Sequence, residues 1–371
     1  MTDAELLHRI AFSQIRNLRA SDALELLGRV GGVDSFFAHS QQDLWQALGT
    51  PARICTDAER ERLLAAARAE LAFVKAHGVE VRFIADSDYP ARLEQCDDAP
   101  LLVYTLGDAG VLDAQHVVSV VGTRNATRYG TDFTKDLVAG LAELLDGLTV
   151  VSGLAYGIDV SAHKGALASA VPTAAVVAHG LNTIYPADHR DIARRMIHEG
   201  GAIVTEYPSG AQIHRGNFLA RNRIVAGLSD AVIVVESDTR GGALATARIA
   251  AGYNRLVGAV PGRVTDRYSR GCNALLASQT AVIIRSADDL VEAMNWTARR
   301  REGEQTELVF DDISPEFLEV LEHLRANPED TLNDMVAALG VPYGTLSARL
   351  MQMEMADLLA ANPGGTFRLN V

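Results

Sequence analysis

Six short apolar runs constrain the fold of this chain more than any other feature. They are VVSVVG (117–122), LTVVSG (148–153), TAAVVAHG (173–180), AIVTEY (202–207), AVIVVES (231–237) and RLVGAV (255–260). β-branched residues dominate them, and each is followed by a stretch with helical spacing. Continuous apolar runs, rather than alternating ones, belong to strands covered on both faces. Strands alternating with helices therefore predict a doubly wound α/β core with a mostly parallel sheet. Ligands of such sheets sit at the carboxyl ends of the strands, so the residues just after each run carry the functional interest.

The rest of the chain is organised differently. With 371 residues there is material for two or three domains. The first 80 residues read as a helical domain, and the glycine turn in LLGRVGG has two readings. It is either the phosphate-holding turn of a helix-hairpin-helix or a plain turn in a small bundle. VRFIADSDYPARL and PLLVYTLGD read as short strands leading into a core at 81–297. A polar linker follows at 298–310. Three helical stretches and a hairpin with its turn at Asn362–Gly365 then make a winged helix over 311–371. Cys55, Cys96 and Cys272 lie outside any CxxC spacing, which offers no zinc site and suits a reducing compartment. The start of the chain does not read as a signal peptide, and no apolar run is long enough to span a bilayer. These features predict a cytoplasmic protein without a membrane partner.

A net charge of −13 argues against a nucleic-acid partner only if it is spread evenly. It is not. Residues 1–116 carry 11 basic and 18 acidic groups, or −7; residues 117–297 carry 17 and 16, or +1; residues 298–371 carry 6 and 13, or −7. The predicted core thus escapes the acidic excess of its flanks, and local charge is what a phosphate backbone meets.

Candidate contacts gather where the runs end. Gly122 lets the backbone approach a ligand, Thr123 offers a hydroxyl, and Arg124 can fork onto a phosphate. The G-x-G-x-x-G spacing of a dinucleotide site is missing there. Ser152 and Gly153 open a second glycine-rich turn, with a helix expected from about Ile158. On that helix Asp159 and His163 share a face and could pair, either as a catalytic couple or as a brace for the turn. Lys164 is either a phosphate contact or a solvated helix residue. After the fourth run, Arg215, Arg221 and Arg223 surround Phe218, with Asn217 and Asn222 adding amides. Cations around an aromatic ring suit a single strand, whose phosphates and bases they serve separately. The plain alternative buries Phe218 and leaves the arginines solvated. Arg240, Gly241 and Gly242 form a further amide-rich turn able to face an anion.

These segments in order resemble the DNA-processing protein A (DprA/Smf) family over nearly the whole chain. The resemblance rests on VVGTRNATRYG, VSGLAYGIDVSAHKGAL, GLNTIYPADHR, TEYP, NFLARNRIVAGLSDAVIVVES, GGALATA, VPG and GCNALL. It implies a sterile-alpha-motif-like (SAM-like) start, an extended Rossmann-like core and a winged-helix end. It implies single-stranded DNA as ligand, the RecA recombinase as partner during natural transformation, and a homodimer formed through the core. Carried onto this sequence, the contacts are Gly122, Thr123, Arg124, Arg215 and Phe218, with Gly180 at the third strand end. Departures are Thr123 in place of a serine, His179 where a small residue is usual, Cys272 within GCNALL, and the acidity of the winged helix. The rival reading is a phosphoribohydrolase acting on a nucleotide monophosphate, whose P-G-G-x-G-T-x-x-E pattern supplies a glutamate. Here Leu244 replaces its third glycine and Arg248 its glutamate. A winged-helix transcription regulator is a second rival, weakened by the acidic end section. The expected protein is a single-strand binder without a catalytic residue, a cofactor or a metal.

Overall fold

The computed structural model describes residues 1–49, 54, 56–299, 314–328, 330–356, 358–362 and 365–369. Cys55, the predicted linker from residue 300 on, and Pro363 and Gly364 of the predicted hairpin turn lie outside the described residues. The described chain forms two units, Met1–Arg299 and Arg300–Val371.

In the first unit the six runs become six neighbouring strands, and three more join them. The strands are β1 (Glu80–Phe83), β2 (Leu102–Gly107), β3 (His116–Val121), β4 (Leu148–Ser152), β5 (Thr173–Val176), β6 (Ala202–Thr205), β7 (Ala231–Val234), β8 (Leu256–Ala259) and β9 (Val282–Ile283). Their spatial order is β1-β2-β6-β5-β4-β3-β7-β8-β9. From β6 to β9 every pairing is parallel, whereas β2 adds antiparallel to β6 and β1 antiparallel to β2.

The strand composition follows from the packing. Val118 and Val120 of β3 point to one face, against α7 (Arg128–Leu144), α8 (Ile158–Ala168) and α13 (Ala287–Ala293). Val117 and Val121 point to the other, against α10 (Arg215–Gly227) and α11 (Gly242–Gly252). Both sets are buried, so a polar side chain in the middle of the strand needs a partner. Ser119 meets this condition by donating its hydroxyl to the Val225 carbonyl at 2.9 Å. Each buried valine contributes roughly 1.5–3 kcal/mol of burial free energy.

The N-terminal segment is helical, as α1 (Asp3–Ser13), α2 (Ala20–Val30), α3 (Val33–Ala38), α4 (Gln41–Leu48) and α5 (Asp57–His77). The glycine turn in LLGRVGG joins α2 to α3. Gly31 takes φ +85° and caps α2 by donating its amide to the Leu27 carbonyl. α5 is tied to the sheet domain through buried Glu70, which accepts from the backbone N–H and hydroxyl of Ser209 at 2.7 and 2.6 Å. Ser209 belongs to the loop between β6 and α10.

The second unit holds α14 (Pro315–Ala326), α15 (Leu332–Leu339) and α16 (Tyr343–Met355), then β10 (Leu359–Ala361) paired antiparallel with β11 (Phe367–Leu369). Its core is Val320, Leu321, Leu324, Met335, Leu346, Leu350, Met353 and Leu359. Among the described residues no helix is long and apolar enough to cross a membrane, and no cluster of His, Cys, Asp and Glu could hold a metal ion.

Candidate nucleic-acid interface

After β3 the chain adds β4, β5 and β6 on one side and then β7, β8 and β9 on the other. The loops leaving β3 and β7 therefore diverge and open a crevice at the carboxyl edge. The crevice encloses about 790 Å³. Of the residues singled out from sequence, Gly122, Thr123, Arg124, Gly153, Arg215, Phe218, Arg221, Asn222, Arg240, Gly241 and Gly242 line it.

Two glycines set its floor. A Cβ on Gly122 would lie 2.4 Å from the Ile158 side chain and 3.0 Å from the Glu236 carbonyl oxygen. Without one, the loop after β3 reaches β7, and Thr123 donates its amide to Glu236 at 2.7 Å. Gly153 has a different task. Its missing Cβ would overlap the Arg221 guanidinium, 1.9 Å from Nη1. The guanidinium lies in that space and donates to the Val176 carbonyl at 2.6 Å. Arg221 is thus a buried wall of the crevice rather than an exposed arm. Asp159 sits beside it, also buried; burial pushes its carboxyl above the usual range, and the Arg221 charge opposes this.

The mouth is aromatic and cationic. The Arg124 guanidinium rests 5.7 Å above the Phe218 ring centroid. Phe218 is half-buried and meets Tyr185 edge to face at 5.8 Å. Tyr185 is 46% exposed. Arg215, at the first turn of α10, and Arg240, just before α11, are both exposed. Among the described residues no carboxylate pairs with Arg124, Arg215 or Arg240. Arg267 in the same crevice differs, since it pairs with Asp238 at 2.6 Å. The α11 start adds amides: Gly241, Gly242 and Ala243 line the crevice, and the cap residue Gly241 makes no side-chain bond to the first N–H groups.

Four sequence candidates lie elsewhere. Ser152 is fully buried and donates to the Val120 carbonyl at 2.6 Å, because a strand end packed on both faces must satisfy its hydroxyl internally. Gly180 is buried against Pro208 and Ser209, where a Cβ would lie 2.4 Å from the Pro208 oxygen. Lys164 is exposed on α8 and is not among the crevice-lining residues. Arg223 turns away to a close ion pair with Glu206 and a 2.5 Å bond to the Asp98 carbonyl.

The expected Asp159–His163 pair does not form. Asp159 accepts from the Ala155 amide at 3.4 Å, whereas His163 Nδ1 lies 2.7 Å from the Thr173 hydroxyl. That hydroxyl donates to the Val150 carbonyl, so it accepts from His163 and fixes the proton on Nδ1. The ring is fully buried, and burial pulls its pKa down to about 3. A neutral imidazole sealed under the sheet has no access to a ligand in the crevice.

Tyr185 is a crevice-lining residue that sequence reasoning passed over, although it lies inside GLNTIYPADHR. The signal was present in the unusual His179. Its ring is buried, donates from Nδ1 to the Gly180 carbonyl at 2.9 Å, and accepts the Tyr185 amide on Nε2 at 3.2 Å. His179 holds the backbone that presents Tyr185 to Phe218. Burial pulls its pKa down, which keeps Nε2 free to accept.

Comparison with known proteins accords with this geometry. Residues 80–295 match the family model for DNA recombination-mediator protein A. A DprA-named DNA processing protein of Mycobacterium tuberculosis is 38% identical over 284 residues, covering 76% of this chain and 72% of its own. Protein Smf of Escherichia coli is 35% identical over 291 residues, covering 77% and 76%. The crystal structure of DprA from Streptococcus pneumoniae superposes with a TM-score of 0.64 at 30% identity, over 79% of this chain and 98% of that one. A structure describing single-stranded DNA binding by DprA from Helicobacter pylori matches with a TM-score of 0.52 at 30% identity, over 58% and 95%. With the mostly parallel sheet, the crevice at its switch point and these relatives together, the chain belongs to the DNA recombination-mediator protein A family, the DprA/Smf proteins.

Proposed function

We propose that this protein binds single-stranded DNA along the crevice between the β3 and β7 loops and serves DNA processing in natural transformation. The observation that carries the reading is the mouth of the crevice. Three arginines without acidic partners stand around a half-exposed Phe218–Tyr185 pair, at the edge where doubly wound sheets take ligands. Unpaired guanidinium groups suit phosphates, and ring faces suit bases of any sequence. The H. pylori relative, described as a single-strand binder, supports the same ligand class.

The wider reading follows the family. Residues 1–80 act as a SAM-like domain, 81–297 as the DNA-binding core, 298–310 as a linker and 311–371 as a winged helix. The core forms a homodimer, and the cytoplasmic complex hands its strand to the RecA recombinase. The protein works as a binder rather than an enzyme. Exposed Arg248 occupies the place where a phosphoribohydrolase carries its glutamate, a group of the wrong charge for that chemistry.

Competition between a labelled mixed-sequence single strand and its duplex tests the reading, with free-nucleotide turnover assayed beside it. The single strand is expected to win without turnover. Equal or stronger duplex binding, or release of a free base, would overturn it.

A further inference from the structure

A second cleft of about 810 Å³ adjoins the first, and the two share the side chains of Arg267 and Tyr268 as a common ridge. They share a wall as well. The loop after β3 lines the first cleft with residues 122–125 and the second with Thr127, while Tyr129 follows on the first turn of α7. We infer that the second cleft is a further nucleotide subsite, into which a single strand continues after crossing the Arg267–Tyr268 ridge. The inference rests on the reading of the first cleft as a single-strand site and extends it to a longer path.

The chemistry of the second cleft matches that ligand. Tyr129 is 51% exposed and lies at the rim, where its hydroxyl donates to the Pro261 carbonyl at 2.9 Å and holds the ring in place. Tyr268 is half-buried, with the Arg267 guanidinium 5.7 Å from its ring centroid. Two rings thus face a space wide enough for a base. Arg263 is exposed on the same rim, and no carboxylate among the described residues pairs with it. The acid deepest in the cleft, Glu236, is occupied. It accepts from the Thr127 amide and hydroxyl at 2.8 and 2.6 Å, with 3% of its surface exposed. Asp266 is the remaining acid of the lining and is exposed at its edge. A free cation and two aromatic rings around a floor whose acid is buried and hydrogen-bonded repeat elements of the first cleft on the far side of the ridge.

The test is the dependence of affinity on strand length. Fluorescein-labelled oligothymidylates of graded length, from about 4 to 16 nucleotides as used by OB-fold single-strand binders, are titrated by anisotropy. The full chain is compared with Arg263→Ala and Tyr129→Leu. Affinity of the unaltered protein is expected to rise until both clefts are filled. Arg263→Ala should weaken the longer strands by roughly 3- to 10-fold and lower their salt slope by about 0.7, while short strands bind unchanged. Tyr129→Leu should weaken the longer strands with their salt slope unchanged. Arg263 is exposed and unpaired, so its replacement tests the idea even where Tyr129→Leu fails to fold. Equal losses at every length, or no loss with Arg263→Ala at any length, would overturn the second subsite and leave the first standing. Absence of binding at all lengths in the unaltered protein would overturn the parent reading and this one together.

Discussion

Arg124 and Phe218 touch each other yet should fail in different ways when replaced. Phe218→Ala removes a stacking face worth roughly 1–3 kcal/mol per base, a five- to hundredfold loss of affinity. It releases no counterion, so its salt slope should stay that of the unaltered protein. Arg124→Ala and Arg215→Ala should each lower that slope by roughly 0.7. Salt titrations of the folded variants separate the two effects; a Phe218→Ala protein that binds normally would refute the stacking role. His163 makes a prediction about stability instead. Its pKa is about 3 in the fold against an ordinary 6.5, so below pH 6.5 the unfolded chain takes up a proton that the folded one refuses. Stability from this group is complete above pH 6.5 and is lost as pH falls toward 3, on the order of 1 kcal/mol for each pH unit. Denaturant titrations between about pH 4 and 6, inside the interval that separates the folded from the ordinary pKa, should show a flatter pH dependence for His163→Asn. Residue types at the strand ends were legible in the sequence, because an arginine beside an aromatic ring advertises its use. Their directions were not. Arg221 and Arg223 are two apart on one helix, yet one enters the crevice wall and the other pairs with Glu206, a difference that only tertiary neighbours decide.

At the scale of elements, the turn after β4 is built around a side chain that arrives from α10. Gly153→Ala would drive the Arg221 guanidinium off the Val176 carbonyl, since the two groups cannot share the space. Losing a hydrogen bond from a charged group costs about 1.5–3 kcal/mol, so the melting temperature should fall and binding should weaken. The cost should shrink in an Arg221→Ala background, where nothing competes for the space; a thermal double-mutant cycle reads this coupling. Additive losses would show that the glycine serves the backbone alone. The six parallel strands were legible because each is buried on both faces and needs a continuous apolar run. β9 was passed over although AVII (281–284) is an apolar run; only two of its residues pair, and Val282 and Ile283 are both exposed at the sheet edge, so the run does not carry the both-faces burial of the other six. The antiparallel addition of β1 and β2 also escaped the sequence, because short strands carry no mark of which edge they join.

For the whole molecule the uneven charge has a measurable consequence. Residues 298–371 hold −7 of the −13 total, and the crevice lies wholly within the first unit. A chain ending at residue 297 should keep single-strand binding within about tenfold, or 1.4 kcal/mol, when titrated beside the full chain. A larger loss would show that the end section supports binding directly or through assembly. At the opposite end of the chain, Glu70 on α5 grips Ser209, 139 residues later, in the loop that leads to Arg215 and Phe218. That grip sets the entropy of the binding surface. A loop held before the ligand arrives has little freedom left to lose, so more of each contact appears as affinity. On the proposed single-strand reading, the N-terminal helices strengthen binding without touching DNA, because the loop is ordered before the strand arrives.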